Sequence, residues 1–120
     1  MPVLFNCDSA DEVPMEQGVS RQPLITPERV GNDCILLDRW RLDPGTTWRI
    51  RVTQTDLAWF QLLDGAARLE GSEGRHELTS SNVVFLPPGF AGDMTTTDGT
   101  IVLYGQVPNA ARFDPGFGAS

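Results

Sequence analysis

Histidine is nearly missing from this chain: His76 is the only one in 120 residues, and there are two cysteines, Cys7 and Cys34. A divalent transition metal needs three or four His, Cys or carboxylate donors converging on it, so the chain has little with which to hold one. The cysteines lack C-x-x-C spacing and nothing indicates secretion, so they read as reduced thiols; a disulfide tying down the N-terminal arm is the competing reading. Basic charge is also short. Nine Lys and Arg stand against 16 Asp and Glu, a net charge of −7, which argues against nucleic acid, whose phosphates are bound by basic surfaces that release counterions.

No hydrophobic run approaches the roughly 20 residues of a membrane helix. The opening MPVLFNCDSADEVPMEQ has neither the basic flank nor the apolar core of a secretion signal, so residence in the cytoplasm is expected. Neither G-x-G-x-x-G nor a P-loop is present, and Ser, His and Asp form no recognisable triad motif. Helical periodicity is absent as well. At this length one domain is expected, burying about two-thirds of its unfolded surface without needing disulfides or a structural metal.

What the chain does have is strands. The segments CILLDRWRL (34–42), TWRIRVT (47–53), LAWFQLL (57–63), AARLE (66–70), RHEL (75–78), NVVFL (82–86) and TIVLYGQV (100–107) are rich in β-formers. Between them lie DPG, QTD, DG, GSEG, PPG and TTDG, all turn chemistry. The class is all-β, a sandwich or barrel. Residues 1–33, with Pro2, Pro14, Pro23 and Pro27, read as an extended arm with one short strand; 34–107 is the barrel and 108–120 a loose tail. In the hairpin around GSEG, Glu70 is expected opposite Arg75, Arg68 opposite Glu77, Leu69 opposite His76 and Ala67 opposite Leu78. That register puts ion pairs on one face and apolar partners on the other.

The order of the DPG turn, the LLDG turn and SSNVVFLPPG resembles the cupin family, small antiparallel jelly-roll β-barrels, over about residues 34–107. The family's first motif, a glycine followed after five residues by His-x-His and then Glu, is matched at Gly45 and Gly65. The second, Gly-Asp-x-x-x-Pro-x-Gly-x-x-His, is matched at Pro87 and Gly89, with Ser81 and Asn82 replacing Gly-Asp. The metal-ligand positions are not matched: they fall on Arg51, Thr53, Ala58 or Leu57, and Gly92. The resemblance therefore implies a jelly-roll barrel without metal or other cofactor. A makeshift site from His76, Cys34 and Asp93 is disfavoured, because the hairpin register puts His76 at the barrel's rim.

Alternate residues of a strand share a face, so Arg49, Arg51 and Thr53 point the same way. If the resemblance holds, that way is inward. There the guanidinium groups would grip a carboxylate, phosphate or enolate by a planar fork; the competing reading sends them to solvent, or to Asp38, Asp56 or Asp93. Phe60 and Phe85 are expected in the core or cavity wall, and Tyr104, sharing a face with Gln106, is expected to donate to a ligand. Trp59 and Leu63 fall on the face opposite Phe60, the outer face that cupin dimers bury. The expected function is binding of a small anionic molecule in the barrel interior, without redox chemistry, by a protein that forms homodimers. A metal-independent isomerase, cyclase or lyase, with Tyr104 or an aspartate moving a proton, and a non-catalytic partner subunit are the alternatives.

Overall fold

The computed structural model describes Leu4 and residues 11–113, which form nine strands. In chain order these are β1 (Val13–Glu16), β2 (Val19–Ile25), β3 (Leu36–Leu42), β4 (Thr46–Arg51), β5 (Leu57–Gly71), β6 (Gly74–Thr79), β7 (Val83–Leu86), β8 (Ala91–Thr96) and β9 (Thr100–Val107), with one helical turn, α1 (Pro27–Val30), after β2. All pairings are antiparallel, in the order β1-β2-β3-β9-β5-β8-β4, with β6 and β7 added onto β5.

The 15-residue β5 is the hinge of this architecture. Its first half pairs with β7 and β9, its second half with β6 and β8. A register shift between Leu62 and Asp64 lets one strand serve both layers, since a bulge bends the strand and increases its twist. The segments 57–63 and 66–70, expected as separate strands, are thus one strand, and LLDG is a bend within it.

The hairpin that follows has the expected register: Glu70 opposite Arg75, Leu69 opposite His76, Arg68 opposite Glu77 and Ala67 opposite Leu78. Arg68 Nε donates to Glu77 Oε1 at 2.8 Å on the wet face, while Ala67, Leu69 and Leu78 are buried on the other. Gly45, Gly65 and Gly89, the three glycines matched to the cupin motifs, have φ of 78°, 85° and 77°, the left-handed region that other residues adopt only with strain.

Two stretches depart from expectation. Residues 13–25 hold two strands, and β2 runs its seven residues along β3, burying Val19 against the core. Prolines had masked it; Pro23 sits at a register shift in β2, one of the few places a sheet tolerates proline. At the other end, Ala110 is 3% exposed and its N–H donates to Thr55 O at 2.7 Å, so the start of the expected loose tail is docked. β8, whose polar AGDMTT gave no strand signal, is held between β4 and β5. Cys34 is exposed, and Cys7 lies outside the described residues.

The core occupies the barrel interior. Phe60, Leu62, Leu86, Met94 and Val102 are 0% exposed. Trp40 and Trp48 stack at 4.6 Å between ring centroids, and Trp48 meets Tyr104 edge-on at 5.4 Å. Among the described residues no helix is long and apolar enough to cross a membrane.

Candidate functional site

Which face of β4 looks inward decides what the barrel can bind. Trp48 (5% exposed), Ile50 (1%) and Val52 (7%) are the buried set, while Arg49, Arg51 and Thr53 are exposed. The inward placement expected for the arginines is corrected by elementary bookkeeping. Turning them in would expose Trp48, Ile50 and Val52, at about 1.5–3 kcal/mol for each large apolar side chain, and bury guanidinium groups without partners. Arg51 instead curls over the strand ends. Its Nη1 donates to Ile50 O at 2.7 Å and Gly92 O at 2.9 Å, and lies 3.6 Å from Asp93 Oδ1.

The aromatic expectations divide. Phe60 is wholly buried and packs in the core beside Trp48, ring centroids 6.4 Å apart. Phe85 is 61% exposed, a correction of its expected place in the core; it pairs with Trp59 across β5 and β7 on the outer face, because Val84 and Leu86 are the β7 residues turned inward. Tyr104 is inward and 4% exposed.

At the open end of the barrel these residues meet again. A cavity of about 190 Å3 is lined by Arg51, Val52, Thr53, Asp56, Ala58, Tyr104 and Gln106. So Arg51 and Thr53 reach the mouth from outside, at the end of β4, while Tyr104 and Gln106 reach it from within. Burial pushes the Tyr104 phenol above its ordinary range; a hydrogen bond with Gln106 pulls it back, and the carboxylates of Asp38 and Asp56 push it up further. The phenol is thus held as a hydrogen-bond donor. Beside it, in β3, Asp38 is 6% exposed and directly opposite Tyr104 in the register. Burial raises its carboxyl from the ordinary range, opposed by Arg21, whose Nη1 is 3.9 Å from Asp38 Oδ2.

Sequence reasoning missed Arg21, placed in the arm, and gave Asp38 no role beyond a partner for the β4 arginines. One signal was available. In LLDRWRL the set Leu36, Asp38, Trp40, Leu42 shares a face, and Asp38 is the only charged member of it; a carboxylate in a buried parity set marks a candidate site.

A metal fits this interior poorly. The residues turned inward near the expected ligand positions are Ile50, Val52 and Ala58, which carry no donor atom. A Cβ added at Gly92 would lie 2.7 Å from the Phe90 ring and 2.8 Å from Glu70 O, so the space for a ligand side chain is already filled. Among the described residues no group of three or more His, Cys, Asp or Glu could hold a metal ion. His76 is exposed on the wall of a separate cavity of about 400 Å3, with Leu69, Val84, Pro87 and Phe90.

No protein-family model and no curated protein matches the chain in sequence. Solved structures do match its fold. KdgF from a Halomonas species is 13% identical, with 90% of this chain and 94% of that one covered at a TM-score of 0.77. A sugar phosphate isomerase of the cupin superfamily from Silicibacter pomeroyi is 16% identical, covering 87% and 74% at 0.72. The polyketide cyclase RemF from Streptomyces resistomycificus is 15% identical, covering 90% and 80% at 0.76. The chain has the cupin fold.

Proposed function

We propose that this cupin-fold chain binds a small anionic molecule at the mouth of its barrel, with Arg51 supplying the positive charge and Tyr104, Gln106 and Thr53 the hydrogen bonds. The observation that supports this is the mouth cavity itself, which gathers a cation, a phenol kept protonated, an amide and a hydroxyl around the apolar floor of Val52 and Ala58, with the one carboxylate of the lining, Asp56, already accepting from the Thr55 hydroxyl and the Asn109 N–H. A few well-placed polar groups on an apolar wall is the usual composition of a ligand site. At about 190 Å3 it holds the volume of about six waters at roughly 30 Å3 each, so the ligand is a small one. Proteins that share the fold include a sugar phosphate isomerase and a polyketide cyclase, and small-molecule binding by this chain is in keeping with that company.

The test is thermal stabilisation by a panel of small carboxylates. Excess ligand at 100 times its Kd stabilises by about 2.7 kcal/mol. Arg51→Leu is expected to keep the fold, since Arg51 is exposed, and to lose the stabilisation; Tyr104→Phe is expected to weaken it. Equal stabilisation in wild type and both variants sinks the reading.

A second reading, a homodimer or partner subunit, is favoured by the outer face. Val83 (66% exposed), Phe85 (61%) and Leu63 (43%) are exposed there beside Trp59, whose ring lies over Gly105. Contiguous apolar surface of this kind marks an interaction site. Trp59→Glu is expected to give a monomer by light scattering if two copies pair through this face, and an unchanged dimer refutes it.

A further inference from the structure

The cavity of about 400 Å3 beside His76 shares no lining residue with the mouth and has a different origin. β6 follows the second half of β5 and β7 the first half, so the two strands diverge with distance from the bend in β5. The turn after β7 bridges the gap, since β8 begins at Ala91 and pairs with β5 beside the hairpin tip, Gly92 opposite Gly71. Between that turn and the tip lies the cavity. Leu69, 4% exposed, is its floor, Val84, Pro87 and Phe90 form an apolar wall, and Glu73 and His76 stand exposed at the rim. Its volume falls in the roughly 300–1,000 Å3 range of small-molecule sites. Two glycines make room for the wall: a Cβ at Gly71 would lie 3.5 Å from the Phe90 ring, and one at Gly92 2.7 Å from it. Neither has a positive φ, so what they supply is space, and the ring occupies it.

Charge decides what fits. Of the Asp, Glu, Lys and Arg side chains only Glu73 lines this cavity; Arg75 pairs with Glu70 on the opposite, wet face of the hairpin. Among the described residues neither Glu73 nor His76 has a hydrogen-bond or ion-pair partner, so both are free to meet a ligand. We propose that the cavity binds a small primary amine carrying an aromatic ring, its ammonium group at Glu73 and His76 and its ring against Phe90, Val84 and Leu69. An ammonium group has three donors, for which a carboxylate and an imidazole nitrogen are acceptors, and an aromatic wall attracts cations. An anion finds no basic partner there, and the net charge of −7 repels it from further off. The two cavities thus take ligands of opposite sign, and this inference does not depend on the anion reading of the mouth.

The experiment uses three molecules of nearly one shape: 2-phenylethylamine, 2-phenylethanol and phenylacetate. Binding is followed by NMR, through the amide shifts of Gly71, Gly74 and His76 at this cavity and of Thr53 and Gln106 at the mouth. The amine is expected to shift the three cavity amides saturably, the alcohol to do so about fivefold more weakly, and phenylacetate not at all. Glu73→Gln is expected to bring the amine down to the alcohol's affinity, an exposed ion pair being worth up to roughly fivefold. Phe90→Leu is expected to weaken amine and alcohol alike, through the lost ring contact. If near-UV circular dichroism shows that Phe90→Leu is not folded, His76→Ala, at an exposed position, takes its place and is expected to weaken the amine. No saturable shift of the cavity amides by the amine overturns the proposal. So does equal binding of all three molecules, or an amine affinity unchanged by Glu73→Gln. An amine that shifts Thr53 and Gln106 instead overturns it as well, whereas phenylacetate shifts there report on the mouth, so the two readings fail separately.

Discussion

Strands β3 and β4 face each other across the barrel through the Trp40–Trp48 stack, yet they use their inner faces differently. Both alternate arginine with apolar residues, and both leave those arginines outside: Arg39 and Arg41 on β3, Arg49 and Arg51 on β4. The inner set of β4, with Val52 just beyond it, is Trp48, Ile50 and Val52, apolar throughout. On β3 the buried set is Asp38, Trp40 and Leu42, with a carboxylate in the apolar row. The first arrangement is what binary patterning produces wherever one face of a strand is buried. The second departs from it at one residue, and the departure stands beside Tyr104. Ordinary packing explains β4; β3 carries a cost that packing does not repay.

The largest effect that sharpens this comparison is on β4. Trp48→Ala is expected to lose about 3–5 kcal/mol by urea unfolding, as large aromatic truncations in a core do, and Arg49→Ala less than about 0.5. Comparable losses for the two would break the assignment of faces. A smaller effect is expected where β8 meets the same interior. Gly92→Ala is expected to cost about 1–3 kcal/mol through overpacking, because its Cβ would press on Phe90 and on the Glu70 backbone. Full wild-type stability would show that Phe90 moves freely and that the place is open after all.

On β3 the expected effect is smaller and depends on pH. Asp38 has a carboxyl raised by burial, so the unfolded chain loses this proton first as pH rises. Its contribution to stability is therefore greatest below the ordinary carboxylate value of about 3.9, falls as pH rises toward the raised folded value, and is flat above that. Measured by urea unfolding between acid and neutral pH, Asp38→Asn should lack this decline, gaining on wild type as pH rises. A variant that tracks wild type throughout would place Asp38 in an ordinary, hydrated setting. The smallest effect is optical. Tyr104 is the chain's only tyrosine, and its absorbance should titrate above the ordinary value of about 10 in the folded protein and near it in urea. Coincident titrations would contradict its burial beside Asp38.

The legibility of the chain follows the range of the interactions. The β5–β6 hairpin could be read residue by residue, because a tight turn and paired charges set its register locally. The direction of Arg51 was equally legible, in the alternation of Trp48, Ile50 and Val52; counting from Gly45 to a motif the chain does not carry pointed the other way. Strand β8 was not legible, since AGDMTT becomes a strand only by pairing with β4 and β5. Arg21 was hidden for a similar reason, its strand broken by Pro23 and recognisable only beside β3.

The sequence by itself determined the class, the turns, the hairpin and the lack of donor residues at the expected ligand positions, because these depend on local propensity, glycine conformations and the identity of single side chains. Only the tertiary structure decided that the arm is part of the sheet, that Phe85 faces outward, and that Asp38 stands between Arg21 and Tyr104. Each of those depends on which strands become neighbours, and contacts between residues distant in the chain are set by the burial of the whole inner face at once.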